Sequence, residues 1–339
     1  MKVCVKAPLR LGLAGGGTDV SPYCDEYGGL VINATIGRYA YSTVEDASEF
    51  SFLSVDNSEE VNCKEFYDIE PTGKCMLLKA SLISFYKRFE INKARKVKIV
   101  TFCDSPPGSG LGTSSTLVVA LVKSLSEFFN ISLTNYDLAR ISYEIERVEC
   151  NLKGGRQDQY SAAFGGFNSL EFKGGNAFVS KLDLSRDMIN NLESSLLLFF
   201  TGVSRDSEKI IANQSQNMIE NKPQALSALH SLKNEAMLMR EALMQNNLIE
   251  VMACLDRGWK FKKQSANVIS NPLIEEIYAT AINAGALAGK VSGAGGGGFM
   301  MFFTPIENRQ KTIDALKIYD GLIYNAQFTE KGAHAWKIN

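Results

Sequence analysis

Pro106-Pro107-Gly108-Ser109-Gly110-Leu111-Gly112-Thr113-Ser114-Ser115 is the stretch on which the reading of this chain turns. It follows Lys96 to Phe102 (KVKIVTF), where apolar and polar residues alternate as in a strand. It leads into Thr113 to Phe129, where Leu117, Leu121, Leu125 and Phe128 recur at helical spacing, with Lys123, Ser124 and Glu127 opposite. Glycines between a strand and a helix let the backbone approach an anion closely. The helix start adds unpaired N–H groups and a favourable dipole. The hydroxyls of Thr113, Ser114 and Ser115 can supply further hydrogen bonds or one metal ligand. A tight strand-to-helix turn has the same composition, so the run alone leaves both readings open. It is not a Walker A loop, because no Lys follows the glycines, and Gly285 to Lys290 (GALAGK) is one residue short and lacks the Ser/Thr. Nor is it a G-x-G-x-x-G, since Gly108, Gly110 and Gly112 are evenly spaced by two.

Two more glycine-rich segments flank it at a distance. Arg10-Leu11-Gly12-Leu13-Ala14-Gly15-Gly16-Gly17-Thr18-Asp19 joins a fixed cation, a bend and a carboxylate. An Arg can neutralise phosphate charge and an Asp can accept from sugar hydroxyls, though a turn with an Asp cap reads the same way. Ser292-Gly293-Ala294-Gly295-Gly296-Gly297-Gly298 lies between a helix and the strand FMMFF. Each glycine loses much backbone entropy on folding, so such a run points to close approach by a ligand or another backbone, with a contact-free hinge as the alternative. Glu146 stands at a helix end and Asp158, in GGRQDQ, comes twelve residues later. One carboxylate can hold Mg²⁺ while another accepts a hydroxyl proton, as phosphoryl transfer requires; Glu146 and Glu149 also fit a solvated helix face.

The chain has 339 residues, 45% hydrophobic and 22% charged, which suits two domains or one large one with a sizeable core. Lys plus Arg number 36 against 37 Asp plus Glu, which gives no support for a nucleic-acid or anionic-membrane partner. A phosphorylated substrate therefore needs a local cluster of donors. Seven scattered cysteines without a C-x-x-C read as buried thiols of a reducing compartment, and two histidines argue against a histidine-rich metal site. Lys6 and Arg10 interrupt the N-terminal segment where a signal peptide needs an apolar core. Leu196 to Phe200 and Phe299 to Phe303 are too short to span a bilayer. A soluble, cytoplasmic protein is expected. Lys2 to Val5, Leu30 to Ile36 and Tyr39 to Val55 read as strands. A second helix follows Thr134 as N-cap, with Leu138, Ile141, Ile145 and Val148 inward. Gln224 to Arg257 reads as helical, broken by Asn246-Asn247 into an antiparallel pair, and Leu273, Ile277 and Ala281 mark another helix. A boundary near residue 190 separates two packed domains of mixed strands and helices, an α+β architecture.

In this order the segments resemble the GHMP kinase superfamily (galactokinases, homoserine, mevalonate and phosphomevalonate kinases), from Ala7 to beyond Phe303. The resemblance implies a two-domain GHMP kinase fold: an N-terminal ATP-binding α+β domain (1–190) and a ferredoxin-like C-terminal domain (191–339), whose last strand is free to return to the first. It implies that Pro107, Gly108, Ser109, Gly110, Leu111, Gly112, Thr113, Ser114 and Ser115 cradle ATP, that Ser114 and Glu146 hold Mg²⁺, and that Asp158 is the catalytic base. Arg10 matches the Arg beside that base in galactokinases, and Asp19, after Thr18, their sugar-binding Asp. Gly293, Ala294, Gly295 and Gly296 are expected at the substrate. Where galactokinases carry an acidic residue and a His that grip the sugar's far hydroxyl, this chain has Gly16 and Gly17; where they have an aliphatic residue two before the base, it has Arg156.

A widened pocket with an added cation suits a longer sugar bearing a phosphate. LAGGGTD, GGRQDQY and VSGAGGGGF are similar to the D-glycero-D-manno-heptose 7-phosphate kinase branch. Such enzymes phosphorylate the anomeric hydroxyl to a 1,7-bisphosphate, for nucleotide-heptose and surface polysaccharide synthesis. Arg156 is the first candidate to hold the substrate phosphate, with Lys6, Lys260 and Lys263 behind it. The alternatives are a fucokinase- or galactokinase-like kinase of a free sugar, a decarboxylating relative, and an inactive GHMP-fold binding protein. A nicotinamide oxidoreductase would need its glycine loop early in a βαβ unit. The partners implied are ATP and a small sugar phosphate; a homodimer is allowed by the sequence and not required.

Overall fold

The computed structural model describes residues 1–106, 108–202, 207–220 and 222–338, so Pro107 of the central loop lies outside the described residues. The chain opens with β1 (Lys2–Ala14), α1 (Tyr23–Glu26), β2 (Gly29–Asp46), β3 (Phe50–Ser54), β4 (Glu59–Cys63), α2 (Met76–Arg88) and β5 (Val97–Cys103). Next come α3 (Thr113–Phe128), α4 (Asn135–Tyr143), a π-helical turn (Glu144–Glu149), α5 (Gln157–Phe164), β6 (Phe167–Lys173) and β7 (Asn176–Lys181). Then follow α6 (Arg186–Ser195), β8 (Leu196–Phe200), α7 (Ser207–Ile219), α8 (Pro223–Met244) and α9 (Leu248–Ser265). The last elements are α10 (Pro272–Asn283), β9 (Ala288–Val291), β10 (Phe299–Phe303), α11 (Ile306–Leu316), β11 (Leu322–Tyr324) and β12 (His334–Ile338).

Eight strands build one sheet in the order β12-β1-β2-β5-β3-β4, with β6 on β2 and β7 on β6. The last strand thus pairs with the first, antiparallel from Lys2–Ile338 to Lys6–His334. β1 runs on to Ala14, which puts Arg10 in a strand and leaves the turn to Gly15 through Asp19. The two stretches expected around residues 30–36 and 39–55 merge instead, since β2 is one 18-residue strand from Gly29 to Asp46. It is long enough to pair with β6 through its first third and with β5 through its last.

Across this sheet lies α3, apolar on nearly every side and buried accordingly. Ser124, expected outside, is buried, with its hydroxyl 2.8 Å from that of Ser42 and 2.9 Å from the Leu121 carbonyl it donates to. Only Lys123 and Glu127 hold the outer face, paired at 2.7 Å.

The second sheet has the antiparallel order β11-β8-β10-β9, the ferredoxin-like arrangement with helices inserted after its first strand. Leu196, Leu198, Phe299 and Met301 join the core of the first sheet, while Leu197, Phe199, Met300 and Phe302 pack with Trp259, Ile274 and Ile277. Burial on both faces is why β8 and β10 are uninterrupted apolar runs. The helix pair breaks where the asparagines stand: Asn246 takes φ +57° and Asn247 accepts from the Glu250 N–H at the start of α9. In α10 the inward residues are Ile274, Ile277 and Ala281; Leu273 is 40% exposed. Because α9 packs against both β1 and β9, its inner face looks between the sheets.

Candidate active site

The even spacing of Gly108, Gly110 and Gly112 has a backbone cause. Their φ angles are +70°, +80° and +78°, so every second residue is left-handed, a pattern that turns N–H groups inward around an anion. Leu111 is fully buried and its carbonyl accepts from the Arg10 N–H at 3.2 Å, which ties the loop to β1. The Gly110 carbonyl accepts from Arg10 Nη1 at 2.7 Å and from Ser292 Oγ at 2.9 Å.

The partner of the third glycine run is this loop. The Phe299 N–H donates to the Ser109 carbonyl at 2.8 Å, and a Cβ on Gly293 would lie 2.7 Å from the Gly110 oxygen. Gly295 and Gly296, expected at the substrate, face Ile269 instead: a Cβ on Gly295 would lie 2.8 Å from its carbonyl, to which the Gly296 N–H donates at 2.7 Å. Gly293 and Ala294 do line the cleft. Gly110→Ala is expected to destabilise the fold by about 1–3 kcal/mol, because it imposes a left-handed alanine whose Cβ falls 2.5 Å from the Ser292 oxygen. Denaturant titration measures this; an unchanged midpoint would mean the two loops are not in contact.

Asp158 sits in the first turn of α5, where Arg10 Nε and Nη2 both reach its Oδ1 at 2.7 Å. Asp19 sets that helix start: its Oδ2 accepts the Arg156 and Gln157 N–H groups at 3.0 and 3.1 Å, and Oδ1 accepts the Gly17 N–H. A Cβ on Gly155 would lie 2.1 Å from Asp19 Oδ2, which explains the glycine there. Asp19 lines the cleft, yet its oxygens already cap the helix that carries Asp158. Thr18 is fully buried and bridges the Gly15 and Leu30 carbonyls at 2.8 and 2.9 Å.

Glu146 is fully buried, and the reason lies in the backbone. Residues Glu144–Glu149 form a π-helical turn, whose wider pitch breaks the 3.6-residue phase. Val148, expected inside, is 67% exposed as a result. Glu146 Oε1 accepts from Ser114 Oγ at 2.7 Å and lies 3.3 Å from Arg147 Nη1, while Oε2 accepts from Gln159 Nε2 at 2.7 Å. Ser115 is also buried behind the loop, accepting from Arg147 at 3.0 Å and Gln159 at 3.2 Å. Ser109 and Thr113 share a 3.2 Å hydroxyl contact. Glu149 lies outside, paired with Arg88. Among the described residues no three His, Cys, Asp or Glu side chains gather to cage a metal. Mg²⁺ commonly takes one or two protein oxygens and fills its shell with phosphate oxygens and water, and the Ser114–Glu146 pair fits that demand.

Arg10, Asp19, Ser114 and Asp158 share one cleft of about 440 Å³, with Glu146 buried beyond its wall and reached through Ser114. Its wall includes Gly108, Gly110, Gly112, Thr113 and Ser114 of the loop, Asp56, Asn57 and Leu77, and Gly17, Asp19, Gln214 and Lys262. Arg156 is not in the lining: its guanidinium donates to Asp25 at 2.8 Å and to Ser21 at 3.3 Å. Lys260 pairs with Asp256, Lys263 with Glu275, and Lys6 lies over the Tyr39 ring. Sequence reasoning passed over Lys262, between two of its own candidates. The signal was there: Leu255, Trp259, Lys262 and Ala266 recur at the spacing of one helical face, and all are buried.

A left-handed glycine loop at a helix start, a carboxylate gripped by a guanidinium, and a lining serine bonded to a buried glutamate are the parts that phosphoryl transfer calls for. The chain belongs to the GHMP kinase family of ATP-dependent kinases: the profile of the GHMP kinases N terminal domain matches residues 77–166 and that of the C terminal domain residues 239–320. It is 38% identical over 338 residues, 98% of each chain, to the D-glycero-alpha-D-manno-heptose 7-phosphate kinase of Campylobacter jejuni. A solved structure described as a D-glycero-D-manno-heptose 1-phosphate kinase from Bacteriodes thetaiotaomicron superposes with a TM-score of 0.83 at 38% identity, covering 99% of both chains. The bifunctional fucokinase/GDP-fucose pyrophosphorylase of Arabidopsis thaliana is 26% identical over 91% of this chain and 30% of its own. These relatives are kinases that act on sugars. Among the described residues no helix is long and apolar enough to cross a membrane.

Proposed function

We propose that this chain transfers the γ-phosphate of ATP to the anomeric hydroxyl of D-glycero-D-manno-heptose 7-phosphate, giving the 1,7-bisphosphate and ADP. The observation that carries the chemistry is the Arg10–Asp158 pair, because it presents a carboxylate held by a guanidinium beside the anion loop. Asp158 takes the proton of the attacking hydroxyl as its oxygen bonds to the γ-phosphorus and the bond to the β-phosphate oxygen breaks. Arg10 holds that carboxylate in place and offsets charge on the transferred group. The loop from Gly108 to Thr113 aims backbone N–H groups at the nucleotide phosphates. Ser114 and Glu146 are the residues that would hold Mg²⁺, which when bound neutralises phosphate charge. The full-length likeness to heptose phosphate kinases supports the choice of sugar. The cytoplasm is the compartment this reading implies, since ATP is the donor.

The printed names of the two relatives put the substrate's existing phosphate at opposite ends of the heptose. We take the 7-phosphate, because Gly16 and Gly17 leave space without side chains beside Lys262 and Gln214, two residues that line the cleft. Coupled ADP release with Mg²⁺-ATP should then be strong with heptose 7-phosphate and weak with heptose 1-phosphate, sedoheptulose 7-phosphate, mannose 6-phosphate, L-fucose, galactose and mevalonate. Preference for heptose 1-phosphate would keep the kinase and reverse the acceptor position. Preference for a free sugar would overturn the reading of Gly16 and Gly17.

A further inference from the structure

Four cations line the cleft among the described residues, and three are committed. Arg10 donates to Asp158 and Gly110, Arg147 pairs with Glu146 and donates to Ser115, and Lys153 donates to Asn151 at the surface. Lys262, reaching in from α9, is 3% exposed and makes one hydrogen bond, to the Gly293 carbonyl at 2.5 Å. An ammonium has three donors, so two are unmet in a site where an unmet charged donor is costly. Its Nζ lies 3.4 Å from the place where a Cβ on Gly16 would stand, and Gln157 Nε2 lies 3.9 Å from the same point. The missing side chain at position 16 thus leaves a space walled by an ammonium and an amide.

Both neighbours fit an anion there. Gln157 Nε2 faces the Asp19 oxygens at 3.2 and 3.3 Å, which fixes the amide with its oxygen turned toward Gly12 and away from the space. We propose that Lys262 holds the phosphate that the sugar substrate already carries, in the space left open by Gly16. The assignment rests on the sugar-phosphate reading above and names its missing grip. Asp19 is the strongest of the charged groups acting on Lys262, ahead of Arg10 and Asp158, and the buried Lys290 is pushed toward its neutral form by burial and by Lys262. Burial pushes the Lys262 ammonium down to about 8, and an arriving phosphate opposes that shift.

The test compares heptose 7-phosphate with the unphosphorylated heptose in wild type, Lys262→Met and Arg156→Ala. Met is apolar and of similar length, and replacing a buried charge this way is often neutral or stabilising; a thermal melt checks the fold. In Lys262→Met the ratio of kcat/KM for the phosphorylated over the free sugar should fall roughly 10- to 100-fold, through KM for the sugar phosphate. In wild type that KM should rise as pH passes about 8 and the ammonium is lost, and in Lys262→Met it should stay flat. Equal losses on both sugars, or a loss confined to kcat, would assign Lys262 to the ring or to the transferred group and overturn the proposal. A ratio that falls only in Arg156→Ala would return the phosphate to Arg156. Wild type that ignores heptose 7-phosphate would refute the substrate reading itself, before any variant is made.

Discussion

Asp158→Asn should lower turnover by at least about 10²- to 10³-fold while ATP affinity stays within a few-fold of wild type. Asparagine keeps the shape and the oxygen that accepts Arg10 Nε and Nη2 at 2.7 Å, so the loop tied to Arg10 through the Gly110 carbonyl stays in place. What goes is the only feature asparagine cannot copy, a charge able to take a proton from the attacking hydroxyl. Arg10, 4% exposed, then faces a neutral partner, and its charge is left to the transferred phosphoryl and the loop. A split between chemistry and binding is therefore expected: nucleotide titration nearly unchanged, single-turnover transfer almost gone. Ordinary turnover would remove Asp158 from the mechanism. Equal loss of nucleotide binding would mean that the pair's role is to shape the loop.

The sequence made the central loop legible because glycine spacing encodes backbone conformation directly. Three glycines at every second position are required where φ alternates to positive values, and no contact beyond the loop is needed to see it. The Ser292 to Gly298 run was legible only as a close approach; its partner is the loop from Ser109 to Gly110, some 180 residues away along the chain. Asp19 shows the same limit. An Asp after a glycine bend reads as a cap or a ligand, and only the fold reveals that it caps α5, whose N–H groups lie 137 and 138 residues on. Arg156 stood out as a cation where galactokinases carry an aliphatic residue, but successive residues at a helix start point in different directions. Its backbone serves Asp19 while its side chain goes to Asp25. Lys262 drew no notice, since a lysine's identity does not mark it as buried and only its spacing from Leu255, Trp259 and Ala266 on one helical face does.

Glu146→Gln should raise the Mg²⁺ concentration needed for half-maximal activity more than tenfold and lower the maximal rate about 10²-fold. The side chain is fully buried by a π-helical turn that a regular helix would not supply. Its two oxygens answer three donors, Ser114 Oγ at 2.7 Å, Gln159 Nε2 at 2.7 Å and Arg147 Nη1 at 3.3 Å. A glutamine offers one acceptor oxygen and an NH₂, so one of these donors must meet another donor, and the Arg147 charge loses its counter-ion. Gln159 can reverse its bond by turning its amide over, and Ser114 can reverse its own by accepting from the new NH₂. The serine's reversal directs the hydroxyl hydrogen toward the phosphates, where an oxygen lone pair is needed to receive a cation. By that route the variant damages the metal site through Ser114 as well as through lost charge, and Ser114→Ala should reproduce part of the Mg²⁺ shift without disturbing Arg147. Were Glu146→Gln to leave the Mg²⁺ titration unchanged and lower only the melting temperature, the carboxylate would be a buried counter-ion for Arg147. The irregular turn at Glu144–Glu149 would then serve the fold instead of the reaction.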